Sequence, residues 1–154
     1  FRRAYEHNGT SFVEIFQNCI VYNDGVFSQF TDKAIADDNE IILEHGKPLI
    51  FGKEKNQGLR VKTGLFELEV VTIGKDGITE ADILIHDETN RALANMLAFM
   101  EPPLFPVAIG VLYCHPTPSY EDGVREHMNE AGHPDSGGDL NALLRRGHTW
   151  TITD

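Results

Sequence analysis

Hydrophobic positions along this chain switch between a helical period and the alternation of strands, and the switches mark out its elements. Phe1 to Asn8 has the character of the last turns of a helix, with Gly9 where a left-handed cap residue would end it. Thr10-Ser-Phe-Val-Glu-Ile-Phe16 follows at once; it is β-branched and aromatic, and it predicts a strand. After the Asn23-Asp24-Gly25 turn, Phe27 to Asp37 predicts a short helix. Ile41 to Leu43 and Leu49 to Gly52 predict short strands, and Gln57-Gly58 a turn. Arg60 to Thr63 and Leu65 to Ile73 then pair as a hairpin across Gly64, and Ala81 to His86 is a further short apolar strand. Thr89 to Met100 places Ala92, Leu93, Met96, Leu97 and Met100 at helical spacing, and Glu101-Pro102-Pro103 ends it because proline cannot continue a helix. Val107 to Tyr113 predicts a buried strand, Tyr120 to Ala131 a polar helix and Pro134 to Gly138 a flexible loop. Asp139 caps a short helix through Arg145, stopped by Gly147, and Thr149 to Thr153 forms a β-like tail anchored by Trp150.

The sum is an α/β pattern. A helix that enters a strand through a short glycine turn is half of a βαβ unit. The other half lies upstream of Phe1, so the chain reads as the C-terminal part of a longer one.

Composition narrows the class. The 154 residues are 41% hydrophobic and 24% charged, as in ordinary globular domains. The longest apolar stretch, Phe105 to Cys114, falls far short of the about 20 residues that cross a bilayer. A formal charge of −11 argues against nucleic-acid and anionic-membrane partners. The exception is local: Lys47, Lys53, Lys55, Arg60 and Lys62 face only Glu54 between residues 47 and 62. The two cysteines, Cys19 and Cys114, are far apart and form no C-x-x-C pair, which points to a reducing, cytoplasmic setting.

Candidate chemistry is thin. Cys19 follows the predicted Thr10–Phe16 strand, and strand ends are where α/β sheets present groups to cofactors. Its thiol is a buried structural group, a nucleophile needing a nearby base such as His7, or one thiolate ligand of an iron–sulfur cluster completed elsewhere. Asn23-Asp24-Gly25 offers oxygens to a hard cation, but the tripeptide is strong turn chemistry and we read it as a turn. His86-Asp87-Glu88 offers ligands too; Asp87 or Thr89 is expected instead to cap the following helix. His115, His127 and His133 lack zinc spacing. Phosphate loops, nucleophile elbows and H-E-x-x-H motifs do not occur, so no catalytic residue is expected in this segment.

Several phrases together resemble one family. They are Thr10-Ser-Phe-Val-Glu-Ile-Phe-Gln-Asn-Cys19, Tyr22-Asn-Asp-Gly-Val-Phe27, His45-Gly-Lys-Pro-Leu-Ile-Phe-Gly-Lys53, His86-Asp-Glu-Thr-Asn90, Phe105-Pro-Val-Ala-Ile-Gly110, Pro118-Ser-Tyr-Glu-Asp122 and Thr149-Trp-Thr-Ile152. They resemble the C-terminal half of the β subunit of 2-oxoacid:ferredoxin oxidoreductases, the 2-oxoglutarate enzymes above all. The resemblance implies a fold in which residues 1–35 complete the thiamine diphosphate-binding parallel sheet. Residues 36–154 then form a C-terminal α+β extension.

The same resemblance implies an enzyme that decarboxylates a 2-oxoacid with thiamine diphosphate and Mg²⁺, transfers the acyl group to coenzyme A, and passes electrons through a [4Fe–4S] cluster to ferredoxin. Cys19 matches the fourth cluster ligand, with Asn18 beside it; the other three cysteines and the Mg²⁺–diphosphate motif lie in the absent N-terminal half. Partners implied are that half, an α subunit and ferredoxin. Lys53, Lys55, Arg60 and Lys62 are candidates for docking an acidic ferredoxin, and Cys114 is expected to be a core thiol. The rival reading is a non-catalytic acidic α/β docking domain with an inert Cys19.

Overall fold

Ile41, Leu49, Leu59 and Leu97 are fully enclosed, and two small sheets and a helix close around them in the computed structural model. The structure describes residues 1–131, 139–147, 150 and 152. They divide into two compact units: Phe1–His7 with Ser11–Pro116, and Asn8–Thr10 with the described residues from Thr117 on.

The first unit opens with α1 (Arg2–Glu6) and, past a long irregular stretch, the short helices α2 (Ser28–Thr31) and α3 (Ala36–Asn39). Strand β1 (Glu40–Leu43) pairs in parallel with β5 (Val107–Gly110), in the register Glu40 to Val107 and Leu43 to Gly110. Between them in sequence lies an antiparallel sheet of order β2-β3-β4, made of Ile50–Phe51, Gln57–Val61 and Leu68–Thr72. Next come a 3₁₀ turn (Glu80–Asp82) and α4 (Arg91–Ala98), which buries Leu93, Ala94 and Leu97. Leu43, Phe51, Val71 and Ile83 complete the core. The architecture is thus α/β, a two-stranded parallel sheet beside a three-stranded antiparallel one.

The second unit holds α5 (Tyr120–Glu130) and α6 (Leu140–Leu144). The Ser119 hydroxyl accepts from the Asp122 amide at 3.2 Å, and the Asp122 carboxylate accepts from the Ser119 amide at 3.1 Å, a reciprocal capping box. The Asp139 carboxylate caps α6, as expected, by accepting from the Asn141 amide. The expected loop at 134–138 lies outside the described residues, and so does most of the expected tail at 149–153.

Five elements depart from expectation, each for a physical reason. Thr10–Phe16 is not a strand: it has no strand pairing among the described residues, and a strand exists only where a neighbour takes its N–H and C=O groups. Phe27–Asp37 is two helices, because Asp32 turns extended and its carboxylate accepts from the Ala34 amide. Gln57-Gly58 is the start of β3 rather than a turn; a Cβ on Gly58 would lie 2.6 Å from Ile83 Cδ1, so the glycine serves close packing. Ala81–His86 begins as the 3₁₀ turn capped by Thr79 and then makes a single bridge, Ile85 to Pro48. The fifth departure is β5, which stops at Gly110 instead of reaching Tyr113 and is half-buried. Beyond it the Val111 carbonyl takes a hydrogen bond from His86 Nε2, and the Cys114 amide donates to the Glu88 carbonyl.

Candidate functional site: the Cys19 loop

The expected site residues Asn18 and Cys19 lie on one loop with a defined neck. Phe16 meets Phe27 and Phe30 edge-on, with ring centroids 5.2 and 5.3 Å apart, and Phe27 packs on Phe30 at 5.7 Å. Phe30, on α2, is buried, so the aromatic trio fixes both ends of residues 17–26 to the folded unit. Inside the neck, Asn18 Nδ2 donates to Asp24 Oδ1 at 2.8 Å while Asn18 Oδ1 accepts from the Gly25 amide at 2.9 Å. The Asn23 amide donates to the Cys19 carbonyl at 2.9 Å and closes the tip. Gly25 turns the chain at φ +72°, a conformation that glycine adopts at no steric cost, and its carbonyl accepts from the Ser28 hydroxyl at 2.7 Å.

Cys19 is free and exposed. The nearby backbone N–H groups, that of Tyr22 first and then those of Val21 and Asn23, hold the thiol below the usual cysteine range. The sulfur therefore matches neither local expectation in full. It is not enclosed among apolar side chains, as an inert core thiol would be. It also has no further cysteine beside it, and among the described residues no group of three or more His, Cys, Asp or Glu is assembled to hold a metal ion. What the structure shows is a single free sulfur open to solvent and to groups outside the described residues.

The other candidates are engaged otherwise. Asn23-Asp24-Gly25 is a turn, with the Asp24 carboxylate held by Asn18. His86, Asp87 and Glu88 do not converge. His86 is buried, donates through Nε2 to the Val111 carbonyl at 2.8 Å, and leaves Nδ1 without a partner among the described residues. Asp87 accepts from the amide and hydroxyl of Thr89, which hold its carboxyl below the usual range. Glu88 grips Arg3. The expected cap at Asp87 or Thr89 is corrected by this geometry: Asn90 caps α4, its Oδ1 accepting from the amides of Ala92 and Leu93. Cys114 is half-buried, with His7 Nδ1 3.9 Å from its sulfur, an association that sequence order gave no sign of.

The basic stretch is dispersed. Lys53 and Lys55 stand exposed on the β2–β3 turn, whereas Lys62 lies at the far end of β3. Arg60 pairs with Glu69 across the β3–β4 ladder at 2.6 Å and is largely neutralised. Lys47 is exposed in the turn before β2. No helix among the described residues is long and apolar enough to cross a membrane.

Comparison with known proteins bears on this geometry. The chain is 31% identical over 156 residues to the 2-oxoglutarate oxidoreductase subunit KorB of Mycobacterium tuberculosis (strain ATCC 25618 / H37Rv). The match covers 98% of this chain and 40% of that protein, so the chain spans about two fifths of the relative's length. No family model and no solved structure matches. The resemblance carried by the Asn18-Cys19 and Gly46-Lys-Pro-Leu-Ile-Phe-Gly52 phrases therefore holds: along nearly its whole length the chain is similar to the C-terminal part of a 2-oxoglutarate oxidoreductase subunit.

Proposed function

We propose that this chain is the C-terminal part of the β subunit of a 2-oxoacid oxidoreductase. The substrate is 2-oxoglutarate, the acyl acceptor coenzyme A and the electron acceptor ferredoxin. The observation that carries the reading is the end-to-end likeness to a 2-oxoglutarate oxidoreductase subunit. In the complete enzyme, bound thiamine diphosphate with Mg²⁺ would supply the carbanion chemistry and a [4Fe–4S] cluster one-electron transfer.

This chain's own part is to hold and present. Cys19 is the cluster ligand it contributes; its free and exposed thiol supports that role. Phe12, Ile15, Ile20, Val21 and Tyr22, before and after it in the chain, are all exposed. Large apolar side chains exposed in such number suit a contact face. In this reading residues 1–35 close onto the thiamine-binding sheet of the same subunit and cover those side chains. Residues 36–154 form the extension, and an α subunit completes the assembly. Lys53 and Lys55, exposed two residues apart on the β2–β3 turn, would meet an acidic ferredoxin. Cys114, beside His7, is not a ligand.

The deciding experiment is iron analysis and EPR on the full-length protein, comparing the wild type with Cys19→Ala and Cys114→Ala. The reading expects a four-iron signal in the wild type and in Cys114→Ala, lost or converted in Cys19→Ala. An unchanged cluster in Cys19→Ala would remove that residue from the site. A wild type without iron would favour the rival, a docking domain with an inert thiol.

A further inference from the structure

Strand β4 ends the three-stranded sheet: the order is β2-β3-β4, and among the described residues no strand pairs with its outer side. We propose that this edge pairs with its own counterpart in a second copy of the chain, antiparallel about a twofold axis at Val70. The pairing is independent of the role of Cys19.

The ladder fixes which backbone groups point outward. At the two ends of the β3–β4 pairing, the Lys62 amide donates to the Glu67 carbonyl at 2.8 Å and the Ile73 amide to the Asn56 carbonyl at 2.7 Å. Bonded and non-bonded pairs alternate in an antiparallel ladder. Glu69 and Val71 therefore turn their N–H and C=O groups to β3, while Leu68, Val70 and Thr72 turn theirs away. The Thr72 carbonyl takes the Lys75 amide at 3.3 Å and keeps a second lone pair. Edge strands of soluble proteins are commonly blunted by lysine, proline or a bulge. Leu68-Glu-Val-Val-Thr72 has none of these, and its one charge, Glu69, is matched by Arg60 at 2.6 Å.

This edge is complementary to itself, as a twofold contact requires. With the axis at Val70, Leu68 faces Thr72 of the second copy and Glu69 faces Val71. Moving the axis to Glu69 would set two carboxylates against each other, which disfavours that register. At each end of the seam the β3–β4 turn of one copy meets the turn after β4 of the other. The first carries exposed Lys62 and Glu67 and the second exposed Lys75 and Asp76, so each side brings a cation and an anion. Phe66 is 85% exposed and comes opposite Gly74, where a Cβ would meet nothing within 4 Å. The open glycine leaves room for the ring. The seam is short, so the association depends on concentration.

The test uses the full-length protein with its partner subunit. Sedimentation over a range of concentrations gives the dissociation constant, and amide exchange reads Leu68, Val70 and Thr72. We expect these outward amides to be protected at high concentration and to exchange faster on dilution. Thr72→Pro removes an N–H that β3 does not use, so the sheet should form and the association should be lost. Lys75→Glu should weaken the association about fivefold, and adding Glu67→Lys to it should restore the contact. That charge exchange decides the matter even if the proline variant does not fold. Outward amides that exchange freely at every concentration overturn the proposal. Protection that persists after dilution to single particles also overturns it, because the rest of the subunit or the partner subunit then covers the edge. An association unchanged by Thr72→Pro and Lys75→Glu places the contact elsewhere and overturns it as well.

Discussion

Arg3 and Glu88, 85 residues apart, are joined by two hydrogen bonds of 2.6 and 3.2 Å, with the carboxylate nearly enclosed and the guanidinium half in solvent. The pair ties α1 to the turn ahead of α4, inside the first unit. Arg3 holds the Glu88 carboxyl below the usual glutamate range, more by its hydrogen bond than by its charge.

That shift sets a pH dependence. A carboxyl with a lowered folded-state pKa contributes stability above the ordinary glutamate value, and the contribution fades as pH falls through the lowered one. Thermal melting of the wild type and Glu88→Gln should therefore differ at neutral pH, with the wild type more stable, and converge as the solution is acidified past the glutamate range. Parallel curves down to the acid limit would contradict the assignment.

Gly58 should be intolerant of a side chain. Gly58→Ala places a methyl 2.6 Å from Ile83 Cδ1 and 3.0 Å from Cγ1, in a site where Ile83 is itself buried. Overpacking of this kind costs about 1–3 kcal/mol. Denaturant unfolding should show that loss, and a smaller one in an Ile83→Val background that lacks the nearest atom. Equal losses in both backgrounds would mean that the clash is relieved elsewhere.

Reversal of Lys53 and Lys55 to Glu should slow electron delivery to ferredoxin at low ionic strength, and the difference should close as salt is raised. Arg60→Glu should act differently. It leaves Glu69 facing a like charge across the β3–β4 ladder, so it destabilises the hairpin and shows no salt-sensitive change in rate. Stopped-flow rates paired with melting curves separate the two.

Ser119→Ala should fray the start of α5. The hydroxyl caps the Asp122 amide, and it is the largest cause of the lowered Asp122 pKa. Loss of such a cap costs about 1 kcal/mol. Amide exchange in the first turn of α5 should accelerate, while the β3–β4 amides stay unchanged.

What the sequence disclosed followed the reach of the interactions involved. Helix α4 was legible from its local apolar spacing and α6 from its Asp139 cap, although Asp87 and Thr89 drew attention from the true α4 cap at Asn90. Asp87 could not serve, its carboxylate being taken by Thr89 two residues on. The β3–β4 hairpin was legible across Gly64, but Gly58 was read as a turn because its close partner, Ile83, is 25 residues away. Thr10–Phe16 has strand-forming residues and lacks a strand to join, a condition that composition does not express. At the candidate site the Asn-Cys phrase was visible; the Asn18 bonds to Asp24 and Gly25 and the aromatic neck depend on how the loop folds back and were not.

The parallel pairing of β1 with β5 bears on the order in which the first unit assembles. The hairpin strands, the 3₁₀ turn and α4 all lie in sequence between these two partners. Their contacts span shorter stretches of chain than the β1–β5 seam, which must close a long loop before it gains anything. Gly110, where a Cβ would sit 2.6 Å from the Leu43 carbonyl oxygen, lets the two backbones meet at the end of that seam. On loop-closure grounds the seam is expected to form last. A strand left waiting there exposes Ile41 and Leu43, the side most open to mispairing while the chain is being made.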